Sequence, residues 1–123
     1  MKSEFKNYTE EEKIKEQKYL ENNIYKGLQN LNTGFDVDSI YYFSESDFEI
    51  LLDRVEKDNI SIFGIEPWLD GSYYDLTTYE DYNTTANDPK WYRKAFSEFK
   101  KREEKLMYAA SYKVPKRVFE CNK

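Results

Sequence analysis

Ten acidic and aromatic side chains crowd a short stretch of this chain: Glu66, Trp68, Asp70, Tyr73, Tyr74, Asp75, Tyr79, Glu80, Asp81 and Tyr82. Carboxylates at this density can do three kinds of chemistry. Two that face each other can divide acid and base roles, and Glu66 and Asp75 fall on opposite arms of a predicted hairpin. Such a pair separates its pKa values only in a dry site. Several together can ligate a hard cation, but Asp70 and Asp75 lack the alternating acidic spacing of a calcium loop, so no metal is expected. The third use is to meet a basic surface. Tyr and Trp set among the charges suit that use, because they offer rigid contact area with a polar handle.

Other chemistry is thinly represented. The chain has no histidine, which removes the commonest general base and metal ligand. There is no C-x-x-C, no G-x-S-x-G and no glycine-rich phosphate loop among its four glycines. No cofactor is expected. The single cysteine, Cys121, has no partner within the chain, no apolar run approaches the roughly 20 residues that span a bilayer, and the start lacks an apolar signal core. A reducing cytoplasm is the expected location. The sequons at Asn7, Asn59 and Asn83 then read as chance triplets.

Charge is divided along the chain. Residues 36–88 hold fourteen acids against Arg54 and Lys57, a net of −12, while residues 89–123 hold eleven bases against four acids, a net of +7. The first 35 residues balance, so the total is only −5. Either the two blocks neighbour each other and neutralise, or the acidic one forms a face that steers a basic partner. The basic last third follows a helical stripe and reads as a solvated face, so direct nucleic-acid binding is not expected.

The elements that would position the cluster follow from local pattern. Ile60 to Leu76 reads as two strands joined at Asp70-Gly71, a dipeptide suited to the φ > 0 of a tight hairpin. Pro67 lacks a backbone donor and is expected at a strand end or sheet edge. Phe48, Leu51, Leu52 and Val55 recur at helical spacing behind Ser44 or Ser46 as a cap. Asp88-Pro89 opens another helix with Trp91, Tyr92, Ala95, Phe96 and Phe99 as its buried stripe. Strands are predicted over 39–43 and 106–114, and 77–86 reads as a loop. A first helix from Thr9, with a T-x-x-E capping box, carries a thin stripe (Ile14, Leu20, Ile24, Leu28, Leu31) weakened at Gly27, and is expected to add little to the core.

The order is therefore an N-terminal helix followed by β-α-β-β-α-β: an α+β domain, predicted as a ferredoxin-like antiparallel sheet with both helices on one face. The expected division is a helical extension over 1–34, the α+β domain over 35–115 and a loose tail over 116–123. Its 123 residues are 18% aromatic, enough for an aromatic core despite a 35% charged content. These features point to a small acidic binding protein rather than an enzyme. It would be of inhibitor or immunity type, covering a basic protein through Glu66, Trp68, Asp70, Tyr73, Asp75, Tyr79, Glu80, Asp81 and Tyr82. The alternative is a small-molecule site or enzyme-like domain with a tyrosine-lined pocket and Glu66 and Asp75 as its polar groups.

Overall fold

The structure, a computed structural model, describes residues 8–120. Its centre is strand β1 (Ser61–Leu69), which pairs with every other strand. At its end Asp70 and Gly71 take φ of 54° and 78°, the paired left-handed conformation of a two-residue hairpin turn. The return arm is broken into β2 (Ser72–Tyr73) and β3 (Thr77–Thr78). The break has a cause in β1. Pro67 has no N–H to offer the return arm, and beside it the N–H groups of both Tyr74 and Asp75 donate to the one Pro67 carbonyl, at 3.1 and 3.3 Å. Pro67 thus lies within a central strand, not at the edge that its missing donor suggests, because the neighbouring arm bulges around it.

Strand β4 (Met107–Lys113) runs antiparallel along the other edge of β1, from Ser61 opposite Lys113 to Trp68 opposite Met107, with a register shift between Ile62 and Gly64. Beyond β4, among the described residues, only Phe43 pairs, through two backbone bonds with Tyr108 of 2.9 and 2.8 Å. Tyr42 is diverted: its N–H donates to Asn30 Oδ1 and its C=O accepts from Leu31 N–H. The strand expected over 39–43 is therefore one bridge.

The fold class is α+β with a four-stranded antiparallel sheet. The ferredoxin-like order differs in one respect. That arrangement inserts the hairpin's return arm between the two strand segments flanking the first core helix. Here β4 takes that place between Phe43 and β1, and the return arm is left outermost. The long β4 pairs along all of β1, whereas the return arm is too broken for a central position.

Helices α2 (Glu45–Lys57) and α3 (Pro89–Arg102) cover one face. Ser44 caps α2 by accepting from Asp47 N–H, and Asp88 caps α3 with Pro89 at its first position. Phe48 and Phe96 both meet the ring of Tyr108, at 5.1 and 5.0 Å. Leu51, Leu52, Val55, Trp91 and Phe99 fill the same core.

The first helix, α1 (Glu10–Tyr19), carries the Thr9–Glu12 capping box and buries no residue of its own. It runs into a π-helical turn, Leu20–Ile24, whose wider winding brings Leu20, Ile24 and then Tyr25 into the core. Arg54 secures this turn by donating to the carbonyls of Ile24 and Lys26 at 3.0 and 2.7 Å. The expectation that this segment adds little to the core is corrected for those three residues. Gly27, at φ 80°, follows the helix rather than interrupting it. The tail is also partly ordered: α4 (Lys116–Phe119) lies against α1, with Lys116 2.9 Å from Glu12. Cys121 and Asn7 fall outside the described residues.

Candidate functional site

The fold divides the acidic-aromatic cluster into two groups. In the first, local structure or the core accounts for each side chain except Glu80. Residues 77–86, expected as loop, hold β3 and a 3₁₀ turn, Tyr79–Tyr82, that buries Tyr79 beside Phe63. Asp81 caps that turn, accepting from Thr78 N–H at 3.0 Å and Thr77 Oγ1 at 2.8 Å, bonds that hold its carboxyl below the usual range. Asp75 lies 2.9 Å from the Arg102 guanidinium, whose hydrogen bond likewise lowers its carboxyl. The Tyr82 hydroxyl donates to Glu98 at 3.1 Å while its ring packs 5.6 Å from Trp91, and partial burial raises its pKa. The Tyr74 ring lies beneath Arg102, and Glu80 is exposed.

The second group shares the sheet face opposite the helices. Residues directly opposed in an antiparallel pair point the same way, and successive ones alternate. Trp68 opposes Tyr73 and Met107, Glu66 opposes Ala109, and Gly64 opposes Ser111 and Thr78, so Gly64, Glu66, Trp68 and Tyr73 share a face. Trp68 is half-covered by Phe35 and Tyr42, at 5.4 and 5.3 Å, and its Nε1–H donates to Glu66 Oε2 at 2.8 Å. Tyr73 is 58% exposed, and Asp70 projects from the turn beside it.

Next to Glu66 lies a groove of about 200 Å³ lined by Ile40, Gly64, Glu66, Leu76, Ala109 and Ser111, with Ala110 at its margin. Its walls are apolar residues left in solvent: Leu76 is 48% exposed and Ile40 37%. Its floor is low because Gly64 has no side chain. A Cβ there would meet Thr77 O at 3.3 Å and Leu76 Cδ1 at 3.4 Å, pressing on the return arm. The outward face of an antiparallel sheet is ordinarily polar. This one presents small and aliphatic residues around a single carboxylate.

The segment that brings Ile40 and Phe35 here is folded around Asn32. Its Nδ2 donates to the carbonyls of Val37 and Ile40, both at 2.9 Å, and its Oδ1 accepts from Gly34 N–H at 3.0 Å. Tyr42, fully buried, donates to Asp36 at 2.6 Å; burial raises the phenol, and the same bond lowers the carboxyl. Nothing in the sequence pattern marks Asn32, Phe35, Ile40 or Leu76 as residues of the site. An Asn two residues before a Gly signals a turn, but not which carbonyls it gathers.

Charge neutralisation is concentrated on the helical side. Arg93 of α3 lies 2.8 Å from Asp53 and 2.9 Å from Glu56 of α2, and Arg102 meets Asp75. These pairs join the basic last third to the acidic middle. In the sheet-face groove Glu66 is the one charged residue among the described lining residues, and its hydrogen-bond donor is the neutral Trp68.

Glu66 and Asp75 each have their own partner: Trp68 donates to the first and Arg102 to the second. Among the described residues, four of the surface grooves hold about 180 to 270 Å³ each, below the roughly 300–1,000 Å³ of ordinary ligand pockets. Among the described residues, no group of three or more His, Cys, Asp or Glu converges as a metal site, and no helix is long and apolar enough to cross a membrane. Comparison with protein-family models, characterised proteins and solved structures gives no match for the chain.

Proposed function

We propose that this is a non-catalytic binding protein that engages a basic protein partner through the open face of its sheet, in the manner of a small inhibitor or immunity-type protein. The observation that carries this reading is the groove beside Glu66, where exposed Ile40 and Leu76 flank a carboxylate with no Lys or Arg among the described lining residues. Apolar walls around one anion suit a partner side chain that is itself aliphatic with a cationic end. Tyr73 and Asp70 extend the surface toward the hairpin turn. Within the acidic-aromatic stretch, Glu66, Trp68, Asp70 and Tyr73 form the contact surface. Asp75, Tyr79, Asp81 and Tyr82 support it from behind.

Affinity capture from a cell extract at low salt, with wild type and Leu76→Asp side by side, tests this. The expected result is a basic protein retained by wild type, released as salt screens the charges, and lost from the folded variant. Equal retention by both proteins, or capture of acidic partners only, would count against it.

A further inference from the structure

The outer edge of β4 is satisfied at both ends and open between them. Alternation along an antiparallel strand turns the N–H and C=O of Tyr108, Ala110, Tyr112 and Val114 away from β1. Tyr108 exchanges both of its bonds with Phe43. Val114 is capped by side chains from the N-terminal segment: its N–H donates to Glu16 at 2.8 Å, and its C=O accepts from the Tyr8 hydroxyl at 2.7 Å. Ala110 and Tyr112, between them, have no backbone partner among the described residues. Their edge opens onto a groove of about 180 Å³ whose lining includes Glu16, Gln17, Ile40 and Tyr41. Through Ile40 and Ala110 this groove adjoins the one beside Glu66.

We infer that the edge of β4 at Ala110 and Tyr112 is a strand-addition site that takes a short extended, basic segment of a partner protein. This deepens the proposed function and rests on it for the partner's charge. An unpaired strand edge is a template for backbone hydrogen bonds from another chain, with side-chain grooves supplying selectivity. Charge complementarity selects the occupant. Among the described residues, the charged ones that line the two adjoining grooves are Glu16 and Glu66, both acidic. The chain's own residues 39–41 would pair here if the Phe43 bridge were extended in register, but they line the groove without a backbone bond to Ala110 or Tyr112, held by other partners. Asn32 binds the Ile40 carbonyl, Asn30 and Leu31 occupy the backbone of Tyr42, and the Tyr41 ring stacks on Tyr25 at 4.6 Å. A second copy would bring one Glu16 toward another in a chain of net charge −5.

The probe is a synthetic peptide of alternating lysine and valine, compared with the same peptide N-methylated along its backbone so that it has no N–H to donate. The readout is amide hydrogen exchange at Ala110 and Tyr112, alongside affinity. The expected result is rapid exchange in the free protein, slowed by the peptide, with affinity falling about tenfold for the N-methylated form. Glu16→Gln, which keeps an acceptor for Val114 N–H, should weaken binding about threefold through lost charge alone. Slow exchange already in the free protein would mean that residues 39–41 close the edge. Protection that grows with protein concentration would mean that a second copy does. Either result overturns the inference. So does equal binding of the N-methylated peptide; if that binding is lost in Leu76→Asp, the basic-partner reading stands without strand addition. A peptide that fails to bind in either form overturns the edge site, and the capture experiment then decides the partner reading by itself.

Discussion

The Arg102 guanidinium at the end of α3 lies 2.9 Å from the Asp75 carboxylate in the return arm of the hairpin. It ties the basic last third of the chain to the acidic middle and fixes the arm just where Pro67 has broken its pairing. Folding lowers the Asp75 pKa below its ordinary value of 3.8. The group therefore stabilises the fold at pH above that value, and the contribution disappears as pH falls through the folded pKa. The Asp75 side chain is 40% exposed, so solvent screens much of the pair, and Asp75→Asn should cost about 0.2–1 kcal/mol at pH 7. Urea denaturation across pH 2–7 would check it. The difference between variant and wild type should vanish at the acid end; a constant difference would mean that the charge is not responsible.

Tyr108 sits at the centre of the core, and its buried hydroxyl has no hydrogen-bond partner among the described residues. Burial accordingly raises its pKa. Tyr108→Phe keeps the ring that Phe48 and Phe96 pack against while removing an unsatisfied polar atom. The variant should be as stable as wild type or more stable, by up to about 1 kcal/mol. A loss of more than about 1 kcal/mol would show that the hydroxyl is satisfied in solution.

The N-terminal segment gives an internally controlled test. Ile24 is 1% exposed and Ile14 is 61% exposed, on the same run of helix. Ile24→Ala should cost about 2–5 kcal/mol as a core truncation. Ile14→Ala should change stability by less than about 0.5 kcal/mol. Similar values for the two, by chemical denaturation, would mean that the π-helical turn is not docked.

Asn32 gathers five backbone groups of the segment that carries Phe35 and Ile40 over the sheet. Asn32→Ala leaves the Val37 and Ile40 carbonyls without that donor and should cost about 1–3 kcal/mol. Trp68 fluorescence should shift to the red as Phe35 and Tyr42 loosen above it. An unchanged spectrum would mean that the segment is held by other contacts.

What was legible in the sequence was local. The Asp70-Gly71 turn and the stripes and caps of α2 and α3 are carried by residues within a few positions of one another, and they form as their spacing implies. Sheet order is not local. It depends on how far β4 can pair and on how Pro67 disrupts the arm beside it. The 39–43 segment has strand-forming residues, yet Asn30 and Leu31 take its backbone first, so only Phe43 pairs. The stripe of the first helix already pairs Leu20 with Ile24; what escapes a 3.6-residue pattern is the π-helical turn that adds Tyr25 to them. At the candidate site, Glu66, Trp68 and Tyr73 could be placed on one face from strand alternation and hairpin register. Ile40 and Leu76 could not, because segments without regular pairing bring them there.

Hydroxyl-radical footprinting of the protein with and without its captured partner tests the central claim most directly. Ile40, Tyr73 and Leu76 on the open sheet face should lose reactivity in the complex. Ile14 and Ile50, on helices away from that face and 61% and 42% exposed, should keep theirs. Protection of Ile50 or of the exposed lysines of α3, with Tyr73 and Leu76 left reactive, would contradict the account.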